Sequence, residues 1–190
     1  MSFIHDLVKL DELSAKTEEG KRLYQTPQGK SYPSVTTVTG ILSKDDIQAW
    51  RIRIGEEKAD QITRAATSRG NKVHKLAELY LKNELFSQST LFDEPKTNNY
   101  KMFEVLSSVL DNKVGVVRAI EAPLYSDVLR VGGRVDLVAE WDNELAVIDF
   151  KTSSKPKKEH WIDNYFMQSS AYAFMFEELT KIPINKIVIA

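Results

Sequence analysis

The chain has 190 residues, 42% hydrophobic and 28% charged, with 26 Lys/Arg against 27 Asp/Glu for a formal net charge of −1. That is apolar material for one core, read here as a single domain over 1–190, and it excludes nucleic-acid binding through bulk positive charge, so any basic surface is local. The absence of cysteine excludes disulfides, thiolate zinc sites, iron–sulfur clusters and a thiol nucleophile, and the short apolar runs predict a soluble, cytoplasmic chain without a leader or membrane span.

Residues 1–20 carry no clear pattern. From Arg22 to Val38, β-rich stretches flank a Pro27/Gly29 turn, and Pro33-Ser34 offers a helix start, which predicts a hairpin leading into a helix. Residues 45–85 are strongly helical, with a break expected near Ser68-Arg69-Gly70-Asn71, where Gly and Asn suit a cap or turn. Beyond it Val73, Leu76, Ala77, Tyr80 and Leu81 form an apolar stripe at helical spacing, with His74 and Glu78 on its edge. A looser stretch to Asn98 and a helix over 99–111 precede three β segments, VGVVRAIEAPLYS, LRVGGRVDLVAEW and ELAVIDFKTS. Residues 158–180 return to helix, expected to bury Ile162, Tyr165, Phe166, Tyr172, Ala173 and Phe176, and KIVIA begins a last strand that looks cut short. The fold class is α/β, a mixed central sheet flanked by helices.

Trp141-Asp142-Asn143-Glu144 reads as a hairpin turn. Pairing Trp141 with Glu144 sets Val138 opposite Val147, Asp136 opposite Asp149 and Arg134 opposite Lys151. Period-two alternation then puts Asp136, Asp149 and Lys151 on one face and Val135, Leu137, Ala139, Ile148 and Phe150 on the other. Opposed carboxylates repel unless a proton or cation lies between them, and a divalent ion with oxygen ligands, Mg²⁺ or Mn²⁺, resolves the conflict. His74 is a candidate nitrogen ligand. Such a metal polarises a phosphoryl group and lowers the pKa of water, while Lys151 offsets developing charge, so these parts suit phosphodiester hydrolysis. The plain alternative is a solvated hairpin face on which Lys151 and Arg134 neutralise the acids.

Asp136 followed by Asp149-Phe150-Lys151 resembles the signature of the PD-(D/E)xK nuclease superfamily. The order of Gly70-Asn71-Lys72-Val73-His74, Glu121 with Pro123, Gly132-Gly133-Arg134-Val135-Asp136, Asp149-Phe150-Lys151-Thr152-Ser153, and Gln168 with Tyr172 is similar to its RecB-like exonuclease branch. Arg22-Leu23-Tyr24 and Tyr32-Pro33-Ser34-Val35-Thr36-Thr37 are similar to the opening of the mitochondrial genome maintenance exonuclease group and its bacteriophage relatives. Val135 stands where the superfamily name has Pro. The resemblance implies a restriction-endonuclease-like core and metal ligation by His74, Asp136 and Asp149 with the Phe150 carbonyl. It also implies catalysis by Lys151, with Gln168 positioning the lysine or the water.

Glu121 is either a further catalytic carboxylate or a partner of Arg118 or Arg134. Glu78 is either a hydrogen-bond partner that fixes the His74 tautomer or an ordinary helix-surface acid. Tyr172 is core as well as a candidate substrate contact, beside Arg69, Lys72, Arg134, Thr152 and Ser153. Residues 51–75 carry seven Lys/Arg against three Asp/Glu, and 151–158 carry four Lys and no acid, which gathers positive charge beside the site for phosphate contacts. Trp50 and Tyr100 are candidates to stack bases. The expectation is a metal-dependent DNA exonuclease acting on single-stranded DNA or DNA ends in repair or replication, with replication or recombination proteins as partners and, if phage-encoded, in the host cytoplasm. A structure-specific endonuclease and a catalytically silent DNA-binding subunit are the alternatives.

Overall fold

The computed structural model describes residues 2–85, 97–154 and 162–190. Its centre is a five-stranded sheet in the order β1 (Ile4–His5), β5 (Val114–Ser126), β6 (Val131–Trp141), β7 (Glu144–Asp149), β8 (Lys186–Ile189). The β1/β5 and β7/β8 pairs are parallel and the two inner pairs antiparallel, the mixed sheet expected of the fold class. A second, antiparallel sheet holds β2 (Ser14–Glu18), β3 (Lys21–Gln25) and β4 (Ser31–Pro33). Residues 1–20, patternless in sequence, thus supply an edge strand and a hairpin strand. Long-range pairing decided the edge strand, with Asp6 and Val8 donating to the Val117 and Arg118 carbonyls, while β2 pairs with β3 across a tight turn at Glu19-Gly20.

The hairpin-to-helix reading of 22–38 matches the structure: β3 and β4 flank a turn closed by Thr26 and Gly29, and Ser34 caps α1 (Val35–Thr39) by accepting from the Thr37 amide. A 3-10 turn leads to α2 (Lys44–Ile54), which ends at Gly55, whose φ of 89° is a left-handed conformation that favours glycine. The break in the helical stretch lies there and not near Gly70, because α3 (Glu56–Leu81) runs unbroken through Gly70. One glycine costs a helix only about 1 kcal/mol, and the buried stripe Val73, Leu76, Ala77, Tyr80 and Leu81 outweighs it. Helix α4 (Asn98–Lys113) packs on α3 through Phe103 against Tyr80, and Tyr80 donates to Asp111 at 2.7 Å. Tyr100 leans on Phe103 in this cluster and is a core contact, not an exposed platform for bases.

Both faces of the sheet are covered. Leu137, Ala139, Ile148 and Phe150 face the α3/α4 cluster, while Val138 and Val147 belong to a second cluster under α5 (Asp163–Thr180); Val135, expected on the face of Leu137, lies in that second cluster because the alternation of β6 breaks at Asp136. The hairpin therefore has no broad solvated face, contrary to the plain alternative. On α5 the buried set is Ser169, Tyr172, Ala173, Met175 and Phe176, whereas Phe166 is 44% exposed and Ile162 and Tyr165 are half-buried. The helix rotates its early aromatics outward to bring the 169/172/176 stripe onto the sheet. The expected helical residues 158–161, and Lys155, Lys157 and Lys158 of the basic run, lie outside the described residues.

Candidate active site

Three neighbouring strands each deliver one carboxylate to the same row. Trp141↔Glu144 and Val138↔Val147 pair as the turn chemistry predicts, and the β6/β7 ladder continues to Leu137↔Ile148. There it stops. The next residues, Asp136 and Asp149, are not a ladder pair, since Asp136 Oδ2 instead accepts the Phe150 N–H at 2.7 Å. The β7 backbone turns to the other neighbour: Ala190 N–H donates to the Asp149 carbonyl and Lys151 N–H to the Ala190 carbonyl. The expected pairing of Arg134 with Lys151 is lost for the same reason. On the other side of Asp136, the pairs Ile120↔Leu137 and Ala122↔Val135 bracket Glu121. Glu121 adopts φ 47° in mid-strand, a left-handed conformation that costs a non-glycine residue roughly 1–3 kcal/mol and clusters at functional sites.

Helix α3 brings His74 over this row. Its Nδ1 lies 3.4 Å from Asp136 Oδ1 and 3.9 Å from Glu121 Oε1, and its Nε2 is 2.9 Å from the Phe150 carbonyl. Burial disfavours the imidazolium, but hydrogen bonding and charge from Asp136 and Glu121 outweigh it and push the His74 pKa up to about 10. The proton on His74 therefore serves as the cation between the two acids. Glu78 does not touch this ring, since its carboxylate binds Lys75 and Lys82 at 2.9 and 2.7 Å. The Phe150 carbonyl holds the second ring nitrogen instead.

Asp149 is 1% exposed. Burial pushes its pKa up to about 6, Lys151 opposing and the Asp136 charge adding to the shift. Its Oδ1 accepts from Gln168 Nε2 at 3.2 Å, and its Oδ2 is in ion-pair contact with Lys151 Nζ but off the hydrogen-bond direction, so this buried oxygen has no aligned donor among the described residues. Lys151 Nζ also sits 5.1 Å from the centre of the Tyr165 ring. Tyr165 went unnoticed as a neighbour of the site in the sequence, although its spacing from Gln168 and Tyr172 along α5 places all three on one helix flank.

Tyr172 is buried, with its hydroxyl 3.5 Å from Gln168 Nε2. Burial, then the Asp136 charge, raises its phenol above the ordinary tyrosine range. The paired glycines are steric: a Cβ at Gly133 would lie 2.6 Å from Tyr172 Cε1, and one at Gly132 2.8 Å from Tyr24 Cβ. Tyr172 is thus a wall beneath β6, not an exposed contact.

Of the basic residues of α2 and α3, Arg51 is bound to Glu56 and Asp60, and Arg64 reaches Asp60. Arg69 has a buried Nε without a partner among the described residues, and Lys72 is exposed one turn on. Gly70 faces Thr152, a Cβ there reaching Thr152 Oγ1 at 3.7 Å, so Thr152 and Ser153 leave β7 beside this helix. Arg134 donates to the backbone carbonyl of Glu121, while Arg118 is paired with Asp6. Neither contact is with the Glu121 carboxylate, which faces His74.

A cleft of about 390 Å³ opens onto His74, Glu121, Asp136 and Glu78. One nitrogen of His74 and one oxygen each of Glu121 and Asp136 lie within 4.8 Å of one another. This donor set of two carboxylates and one imidazole suits a divalent cation; Asp149, its Oδ2 in ion-pair contact with Lys151, is not one of the three. The sequence expected His74, Asp136, Asp149 and the Phe150 carbonyl to ligate. In this structure His74 and Asp136 converge with Glu121, Asp149 is turned to Lys151, and the Phe150 carbonyl meets His74.

A family model described as the PD-(D/E)XK nuclease superfamily matches residues 47–186. The chain is similar to mitochondrial genome maintenance exonuclease 1 of Homo sapiens, 33% identical over 135 residues covering 66% of this chain and 38% of that protein. It is 28% identical to the Mus musculus protein of the same name over 138 residues, 68% of this chain and 39% of that protein. The Xenopus tropicalis protein is 32% identical over 116 residues, 58% and 32% respectively. The matches span less than two fifths of the length of each of these relatives.

Proposed function

Because the chain belongs to the PD-(D/E)XK nuclease superfamily, we propose that its row of carboxylates hydrolyses phosphodiester bonds in DNA with Mg²⁺ or Mn²⁺, acting as an exonuclease on single-stranded DNA or DNA ends. The observation that carries this reading is Glu121, Asp136 and Asp149 on adjacent strands, with Lys151 in contact with the last and His74 above the first two. The exonuclease mode rests on the name of the relatives.

His74, Glu121, Asp136 and Asp149 would hold the metal, which when bound polarises a phosphoryl oxygen and acidifies water. In the reaction the oxygen of water bonds to phosphorus as the P–O ester bond breaks, leaving a terminal phosphate and a free hydroxyl. Lys151 offers its ammonium to the phosphoryl oxygens as negative charge develops there, with the Tyr165 ring behind it. Gln168 orients Asp149 through its amide. Arg69, Lys72, Thr152 and Ser153 bind flanking phosphates, Arg69 through a guanidinium whose buried Nε has no acceptor among the described residues. No helix among the described residues is long and apolar enough to cross a membrane.

Digestion of 5′- and 3′-labelled linear strands and of circles, with each metal and with Lys151→Ala as control, tests this. Linear strands should shorten from an end, circles should survive, and the variant should lose at least about 100-fold in rate, the usual effect of removing one transition-state donor. Cut circles would make the protein an endonuclease. Metal-dependent cleavage no greater than that of the variant would leave DNA binding alone.

A further inference from the structure

Glu121 sits at a local irregularity of β5. Its own backbone is left-handed at φ 47°, off the regular pleat. Two residues on, Pro123, paired with Arg134 in the register, has no N–H to give. The Arg134 guanidinium, from the neighbouring strand, donates to the Glu121 carbonyl. Arg134 stands two residues before Asp136 on β6, next to the point where the alternation of the strand breaks, Val135 and Leu137 packing in different clusters. Its planar fork is suited to fixing an oxygen in one direction, which a flexible lysine is not.

We propose that Arg134 is a positioning residue for the metal centre: it locks the left-handed Glu121 backbone so that the carboxylate stays against His74 and Asp136. This deepens the reading above and rests on it. Arg134 then acts through Glu121, in contrast to a phosphate contact, the role its charge and its place in the motif suggest. Partners that orient metal ligands commonly change metal affinity 10- to 100-fold when removed.

The test is a double-mutant cycle read by Mn²⁺ titration calorimetry, with no substrate and no turnover. Arg134→Ala should weaken Mn²⁺ binding about tenfold or more, Glu121→Gln should weaken it at least as much, and the double variant should be no weaker than Glu121→Gln alone. Arg134→Gln, which keeps an N–H donor without the charge, should retain more affinity than Arg134→Ala and serves if the alanine variant folds poorly. In parallel, binding of a single-stranded oligonucleotide in EDTA is followed against salt. A positioning role leaves the salt slope of Arg134→Ala unchanged. A slope reduced by about one, with Mn²⁺ affinity intact, would make Arg134 a phosphate contact and overturn the proposal. Additive losses in the cycle would also overturn it. Failure of the unsubstituted protein to bind Mn²⁺ would overturn the metal-site reading, and this inference with it.

Discussion

Removing the charge of Asp149 should stabilise the metal-free protein. The carboxyl is 1% exposed and titrates near 6 in place of its ordinary 3.8, so its ionisation opposes folding. At 1.36 kcal/mol per pH unit the difference amounts to roughly 3 kcal/mol. The sign follows from proton linkage. Below about 3.8 the group is protonated in folded and unfolded chains alike and the penalty is absent. It grows between 3.8 and about 6, where the folded state holds the extra proton, and is complete above that. Asp149→Asn in EDTA should therefore raise Tm at pH 7.5 by up to roughly 6–12 °C for a chain of this size, and the gain should shrink to a degree or two near pH 4. Asp136→Asn should do the reverse. Asp136 faces the His74 imidazolium at 3.4 Å, and losing that charged partner should destabilise by roughly 1–3 kcal/mol. Thermal melts of both variants across pH read this directly. Destabilisation by Asp149→Asn at pH 7.5, or a gain that does not depend on pH, would refute the electrostatic account of the site.

Further outcomes follow from the same geometry. His74 must give up its proton to bind a metal, and with a pKa of about 10 it is charged at neutral pH. Mn²⁺ binding at pH 7.5 should thus release close to one proton, seen as a buffer-dependent calorimetric heat, and affinity should climb about tenfold per pH unit toward 9; His74→Ala should lose the proton release. Gly133→Ala should clash with Tyr172 at 2.6 Å and destabilise by about 1–3 kcal/mol, visible as a lowered denaturation midpoint; an unchanged midpoint would show that Tyr172 is free to move. Tyr165→Leu should slow turnover with little change in KM, because it removes the ring behind the Lys151 ammonium, whereas Tyr165→Phe should retain most of the rate.

Much of this protein is written in short windows of its sequence. The Trp141–Glu144 turn, its register as far as Leu137↔Ile148, the Ser34 cap and the Val73–Leu81 stripe all appear where turn chemistry and periodicity place them, because each is decided by residues within a few positions of one another. The pairing of Asp136 with Asp149 was also read from that local register. It fails in the structure, since beyond Ile148 the ladder to β6 ends, with the Phe150 N–H taken by the Asp136 side chain, while the pairing with the distant β8 continues. Tertiary structure decided between the two readings of Glu121, setting its carboxylate toward His74 and not toward Arg118 or Arg134. A left-handed residue inside a β-rich segment has no signature in composition, and its partner His74 lies 47 positions away on a helix packed across the sheet. The same holds for β1, which is set by its pairing to β5, and for α3 passing straight through Gly70, where the buried stripe outweighs the local preference of one residue. Local rules set the turn and the register next to it; long-range packing sets where the alternation breaks and which faces meet, and the chemistry of this site resides in the meeting.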